Sequence, residues 1–144
     1  MLTTVQRIVA RDSRMSASAV DTIDMRLTAV RYGAESINLF ELRQLDGRDV
    51  PSFTAGAHID VFLPNGMIRQ YSITNAETDR QHYLLGVKFE ASGRGGSRCL
   101  HDEVRVGSVL KVGMPRNNFP LIEEATTSVF VAGGIGITPI HSMI

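Results

Sequence analysis

From residue 25 to residue 112 the chain is cut into short runs of alternating polar and apolar residues, each closed by a turn signal. No other feature limits its possible folds as much. Residues 25–31 (M-R-L-T-A-V-R), 36–42 (S-I-N-L-F-E-L) and 57–63 (A-H-I-D-V-F-L) repeat with a period of two, the period of a strand that lays one face on a core. Tyr32-Gly33-Ala34-Glu35 reads as a hairpin connection, and Gly47 and Pro51 punctuate the next loop. Pro64-Asn65-Gly66 is a turn with a mechanism, because Asn and Gly accept positive φ. Residues 67–74 then return antiparallel, residues 82–89 form a mostly apolar strand, and residues 109–112 a final short one. A short helix is expected over residues 100–106, with Gly107 as its stop. Closure removes the exposed edges of so many short antiparallel strands, so the pattern predicts a small all-β barrel or a sandwich.

A chain of 144 residues can bury one complete core but not two good ones. Near Pro120 the composition nevertheless changes. Residues 127–132 (T-S-V-F-V-A) form a β-branched, nearly continuous apolar run, the signature of a parallel strand buried on both faces. After the turn Gly133-Gly134-Ile135-Gly136 come Thr138, expected as an N-cap, and Pro139, expected at the first helical position. Strand, glycine turn and helix start together open a nucleotide-binding α/β domain, and a single such unit cannot bury itself. The expected organisation is an N-terminal extension over 1–24, a barrel over 25–123, and the severed start of a second domain over 124–144.

Lys+Arg and Asp+Glu both number 15, which leaves no electrostatic case for nucleic acid or an anionic membrane. No apolar run approaches the roughly 20 residues that span a bilayer. The first 20 residues have no continuous apolar segment of the secretory kind; a solvated leader or tail is the preferred reading over a transit peptide. Cys99 is the only cysteine, so no intramolecular disulfide forms, which fits a cytoplasmic protein. An iron–sulfur cluster needs about four cysteine ligands and cannot sit on this chain. Cys99 itself reads as a buried small hydrophobe rather than a reactive thiol. His58, His82, His101 and His141 show no pair at metal spacing, and no metal site is expected.

The chemistry lies in two motifs. In Arg69-Gln70-Tyr71-Ser72 a strand period places Arg69 and Tyr71 on one face. The guanidinium fork can grip a phosphate, and the phenol ring can cover one side of a flat ring such as an isoalloxazine. Ser72 brings a hydroxyl and an amide to the N5 edge of such a ring and is the candidate catalytic residue. The plain alternative is an edge strand with a solvated arginine and a half-buried tyrosine. Further on, Ser92-Gly93-Arg94-Gly95-Gly96-Ser97-Arg98 offers free backbone N–H groups and a hydroxyl to an anion just before a helix; the plain alternative is a flexible hairpin loop. Gly86-Val87-Lys88 on the strand between them can present backbone groups to the pyrimidine side of a flavin. Thr138 either reaches back to the ring or merely caps its helix. Asn117-Asn118-Phe119-Pro120 reads as an interdomain turn with a functional role as the alternative.

In this order, Arg69-Gln70-Tyr71-Ser72, Gly86-Val87-Lys88, Gly93-Arg94-Gly95-Gly96-Ser97, Pro115-Arg116-Asn117-Asn118-Phe119-Pro120 and Gly133-Gly134-Ile135-Gly136-Ile137-Thr138-Pro139 resemble the ferredoxin-reductase superfamily. The similarity runs from about residue 25 to 144 and points to the phthalate dioxygenase reductase and vanillate demethylase reductase branch. It implies a six-stranded antiparallel Greek-key barrel that binds flavin, then an NAD-binding α/β domain and a plant-type 2Fe-2S domain. It also implies hydride transfer from NADH to FMN and single-electron delivery to a Rieske-type oxygenase. By matching position it assigns Arg69, Gln70, Tyr71 and Ser72 to the flavin phosphate, ring face and N5 edge. Gly86, Val87 and Lys88 would flank the ring, Gly95, Gly96, Ser97 and Arg98 would cradle the phosphate, and Thr138 would touch the flavin from the second domain. Ser92 stands where that family commonly has glycine. Most of the nicotinamide domain and all of the cluster domain are absent from the chain, so little activity with NADH is expected of it alone.

FMN is expected over FAD because no Phe, Tyr or Trp follows Ser97 until Phe119, although His101 offers an alternative platform for an adenine. An FAD-dependent relative and a flavin-free barrel acting as a binding or assembly module are the other two readings.

Overall fold

The computed structural model describes residues 21–122 and 124–144; most of the expected N-terminal extension and Glu123 at the domain boundary lie outside the described residues. Six strands, β1 (Thr22–Ala34), β2 (Ile37–Gln44), β3 (His58–Phe62), β4 (Ile68–Ser72), β5 (Tyr83–Lys88) and β6 (Val109–Gly113), form one antiparallel sheet in the order β4-β3-β6-β1-β2-β5. The sheet bends round on itself. Just past β4, Ile73 bridges to Leu85 of β5, and the Thr74 N–H donates to the Leu84 carbonyl at 2.8 Å, so the two outermost strands meet and close a barrel. Strand β1 begins three residues before the expected 25 and is long enough to pair with both β2 and β6, with register shifts between Leu27 and Ala29 and between Tyr32 and Ala34. Such bulges bend a strand round a barrel corner.

The alternation decides what fills the barrel. Met25 and Leu27 from β1, Phe40 and Leu42 from β2, Ile59 and Val61 from β3, Tyr83, Leu85 and Val87 from β5, and Leu110 and Val112 from β6 are buried in one cluster. Each large side chain so buried contributes about 1.5–3 kcal/mol. The Tyr83 hydroxyl keeps a partner by donating to the Pro51 carbonyl at 2.7 Å. Helix α1 (Gly96–Asp102) drops Cys99 and Leu100 into the same core.

Four local expectations change. The hairpin turn falls on Glu35 and Ser36, because Ala34 still pairs with Ile37 and Ser36 takes the positive φ of 61°. The first helix starts four residues earlier than residue 100, and it ends where the Cys99 carbonyl is shared by the N–H groups of Glu103 and Val104. Residues 127–132 form no strand, with Val129 and Val131 84% and 88% exposed. A strand buried on both faces needs neighbours, and none pairs with it among the described residues. The glycine turn does lead into a helix through a 3-10 turn over Gly134–Gly136, followed by α2 (Ile137–His141). Its N-cap is Gly136, so Pro139 is the third helical residue rather than the first; Thr138 lies inside the first turn and donates its hydroxyl to the Ile135 carbonyl at 2.9 Å. No helix among the described residues is long and apolar enough to cross a membrane.

Candidate functional site

Beyond the Ile73–Leu85 bridge, β4 and β5 part and leave a cleft of about 340 Å³. Arg69, Gln70, Tyr71 and Ser72 form one wall, Gly86, Val87 and Lys88 the opposite one, and Gly96 and Ser97 the end near α1. Ile135 and Thr138 close the side toward α2. Segments far apart in the chain thus converge on one concave site within the size range of small-molecule pockets.

Arg69 is the centre of its charge. The side chain lies across Gly96 so closely that a Cβ there would sit 2.6 Å from Nε and 2.7 Å from Cγ. Only a glycine lets an arginine pass over the first turn of α1 in this way. The guanidinium donates from Nη1 to the Ile68 carbonyl at 2.8 Å and from Nη2 to the Met67 sulfur at 3.1 Å. Neither acceptor carries charge, and among the described residues Arg69 has no carboxylate partner. Lys88 differs, since its ammonium is paired with Glu90 at 2.8 Å. With Arg94 also on the wall, three cations face one carboxylate, an excess suited to a phosphate dianion.

Tyr71 is half-buried at the foot of the same wall and packs against the core. Burial pushes its phenol up to about 12, against the opposing pull of the Arg69 cation. The ring is therefore neutral at every physiological pH and offers an apolar face with a hydroxyl donor at its edge. The Ser97 hydroxyl accepts the Glu90 N–H at 3.0 Å, which ties the loop after β5 to α1.

Two expected site residues stand off the cleft wall. Gly95 adopts φ 95° as the N-cap of α1, a left-handed conformation that favours glycine, and its carbonyl accepts from Asn65 Nδ2 at 3.4 Å. Arg98 points to the far side of the loop, where its Nη2 donates to the Ala91 carbonyl at 2.7 Å. Conversely Glu90, Gly93, Arg94 and Ile135 line the cleft without having been singled out as site residues. Gly93 and Arg94 lay inside the glycine-rich motif and Ile135 inside the glycine turn, whereas no local pattern marked Glu90. His101 is engaged elsewhere: Nε2 lies 3.0 Å from the Val87 carbonyl, Nδ1 3.4 Å from Asn38 Nδ2, and the ring packs edge-on to Phe40 and Phe89. Cys99 is fully buried, and burial raises its thiol above the ordinary value. Asn117 is tied to the loop after β2, donating to the Thr54 hydroxyl at 2.7 Å and the Ala55 carbonyl at 2.8 Å.

The chain is 52% identical over 125 residues to tetrachlorobenzoquinone reductase of Sphingobium chlorophenolicum, a match that takes in 87% of this chain and 39% of that protein. It is 50% identical over 121 residues to a vanillate O-demethylase oxidoreductase of Pseudomonas putida, covering 84% of this chain and 38% of the relative. Among solved structures, phthalate dioxygenase reductase, described as a modular structure for electron transfer from pyridine nucleotides to 2Fe-2S, matches with a TM-score of 0.83 at 40% identity, over 85% of this chain and 38% of that one. No family model matches the chain.

Fold and cleft together define a six-stranded antiparallel Greek-key barrel of the ferredoxin-reductase superfamily. Within it, over the residues shared, the chain belongs to the phthalate dioxygenase reductase and vanillate demethylase reductase branch. It spans well under half the length of these relatives.

Proposed function

We propose that residues 25–123 hold FMN in the cleft between β4 and β5, as the flavin barrel of an NADH-dependent reductase serving a Rieske-type oxygenase through an iron–sulfur centre. Residues 124–144 would open the NAD-binding α/β domain of such a reductase. One observation carries this reading: a guanidinium with no carboxylate partner among the described residues lies over Gly96, on the same strand face as a neutral tyrosine ring, in a cleft with cationic excess.

Bound there, FMN would supply the exchange between a two-electron hydride donor and one-electron acceptors. The chain supplies position and charge. Arg69 would grip the phosphate with a planar fork, assisted by the Gly96 and Ser97 amides and by Arg94. Tyr71 would cover one face of the ring and exclude water from it. Ser72 would offer hydroxyl and amide at the N5 edge, while Gly86, Val87 and Lys88 would present β5 backbone groups to the pyrimidine side. Ile135 and Thr138 would close the remaining side.

FMN is favoured over FAD because His101, the one ring between Ser97 and Phe119, packs edge-on to Phe40 and Phe89 and is bonded to Val87. Extraction of the cofactor from freshly purified protein, followed by chromatography, tests the reading. Predominant FMN is expected. Predominant FAD would move the chain to an FAD-dependent branch, and a colourless protein that takes up neither flavin would favour the binding or assembly module.

A further inference from the structure

Helix α2 is little more than one turn long, yet it reaches back to the barrel at three places. The Thr138 methyl packs so tightly over Gly86 of β5 that a Cβ on that glycine would lie 2.8 Å from it. His141 Nδ1 lies 3.0 Å from the Thr74 carbonyl, two residues past the end of β4. Ser142 is buried; its hydroxyl accepts the Gly56 N–H at 2.9 Å and donates to the Pro139 carbonyl at 2.8 Å. Residues 138, 141 and 142 are spaced i, i+3, i+4 and so share one helix face.

That face lies across the line where the barrel closes. There the described contacts between β4 and β5 narrow to the Ile73–Leu85 bridge and the bonds from Thr74 to the Leu84 carbonyl, its N–H at 2.8 Å and its hydroxyl at 3.0 Å. Immediately beyond, the same two strands diverge into the walls of the cleft. A flat ligand held between two walls loses a quarter to a half of its dispersion contact for a gap of about 0.5–1 Å, so the spacing of the walls matters as much as their chemistry.

We propose that α2 is a staple across the β4–β5 seam, in which His141 and Ser142 are positioning residues that hold Thr138 against Gly86 and thereby fix the width of the cleft. His141 ties the staple to the β4 side through Thr74, Thr138 seats it on β5, and Ser142 anchors its end to the loop carrying Gly56. The consequence for flavin binding rests on the function proposed above; the effect on the seam does not.

The test uses the 144-residue chain with two readouts, amide hydrogen exchange without flavin and FMN titration by fluorescence quenching. His141→Leu is expected to speed exchange of the Thr74 amide about fivefold, leave amides of the β1–β2 ladder unchanged, and weaken FMN binding about fivefold, the size of one lost hydrogen bond. His141→Asn, whose amide nitrogen can take the place of Nδ1, is expected to restore both. Unchanged exchange at Thr74, or failure of the asparagine to restore it, would overturn the staple. If His141→Leu loosens the whole barrel, Ser142→Ala carries the test: acceleration confined to the seam supports the staple, and acceleration spread through β1 and β2 rejects it. A wild-type chain that takes no FMN would overturn the cleft assignment, and the staple would then stand or fall on the Thr74 exchange.

Discussion

At Arg69 an incoming phosphate displaces only a backbone carbonyl and a thioether, so most of the charge-assisted bond is available as binding energy. Arg69→Ala is expected to lower FMN affinity about ten- to a hundredfold, the equivalent of roughly 1.5–3 kcal/mol. Lys88→Ala is expected to cost far less, because that ammonium already has Glu90 as a partner. Arg69→Lys should recover part of the loss, since an ammonium lacks the planar fork. Fluorescence-quenching titration of the apo-protein measures all three, and equal affinities for wild type and Arg69→Ala would remove the phosphate assignment. Gly96→Ala approaches the same question from the other side. Its Cβ would need the space of Arg69 Nε, 2.6 Å away, so the arginine must swing off. An affinity close to that of Arg69→Ala is expected, with the melting temperature little changed; wild-type affinity in Gly96→Ala would show that the arginine's path over α1 is immaterial.

At the scale of the element, β2 breaks its own alternation by burying Phe40, Glu41 and Leu42 in succession. Glu41 is 5% exposed on the outer side of the barrel. Burial alone would raise its pKa, but hydrogen bonds from Arg43 at 2.8 Å and the Thr28 hydroxyl at 2.9 Å outweigh that and hold it below the ordinary carboxylate value. Arg31 bonds the second carboxylate oxygen. The network ties β1 to β2 on the strand pair that extends furthest. Because the folded pKa lies below the unfolded one, the contribution is present above the unfolded value and is lost as pH falls through the folded one. Glu41→Gln is therefore expected to be less stable than wild type at pH 7, with the gap closing below about pH 4. Urea unfolding between pH 7 and 3 checks this, and a gap independent of pH would mean that packing rather than charge holds the site.

For the whole molecule, the exposed run 127–132 makes no ladder among the described residues, and of the expected nucleotide-binding unit these residues show the glycine turn and α2. FMN bound to the 144-residue chain is expected to be reduced readily by dithionite but slowly, and without saturation, by NADH, because the proximity advantage is missing. Anaerobic stopped-flow measurement decides it; fast, saturable reduction would place the hydride donor on the barrel itself. The sequence by itself determined what depends on local period and local chemistry. The two-residue alternation marked three strands, turn signals and apolar runs marked the other three, a strand period put Arg69 and Tyr71 on one face, and the glycines at 93, 95 and 96 marked a loop whose amides could meet an anion. Only the tertiary structure decided what depends on segments meeting across the chain. Closure at Ile73 and Leu85 created the cleft, the loop fold turned Arg98 toward Ala91 and Arg94 into the site, and α2 docking brought Ile135 and Thr138 to its rim. Residues 127–132 show the same division in reverse: their β-branched composition favours a strand, but a strand is completed by hydrogen bonds from a neighbour, and propensity alone cannot supply one.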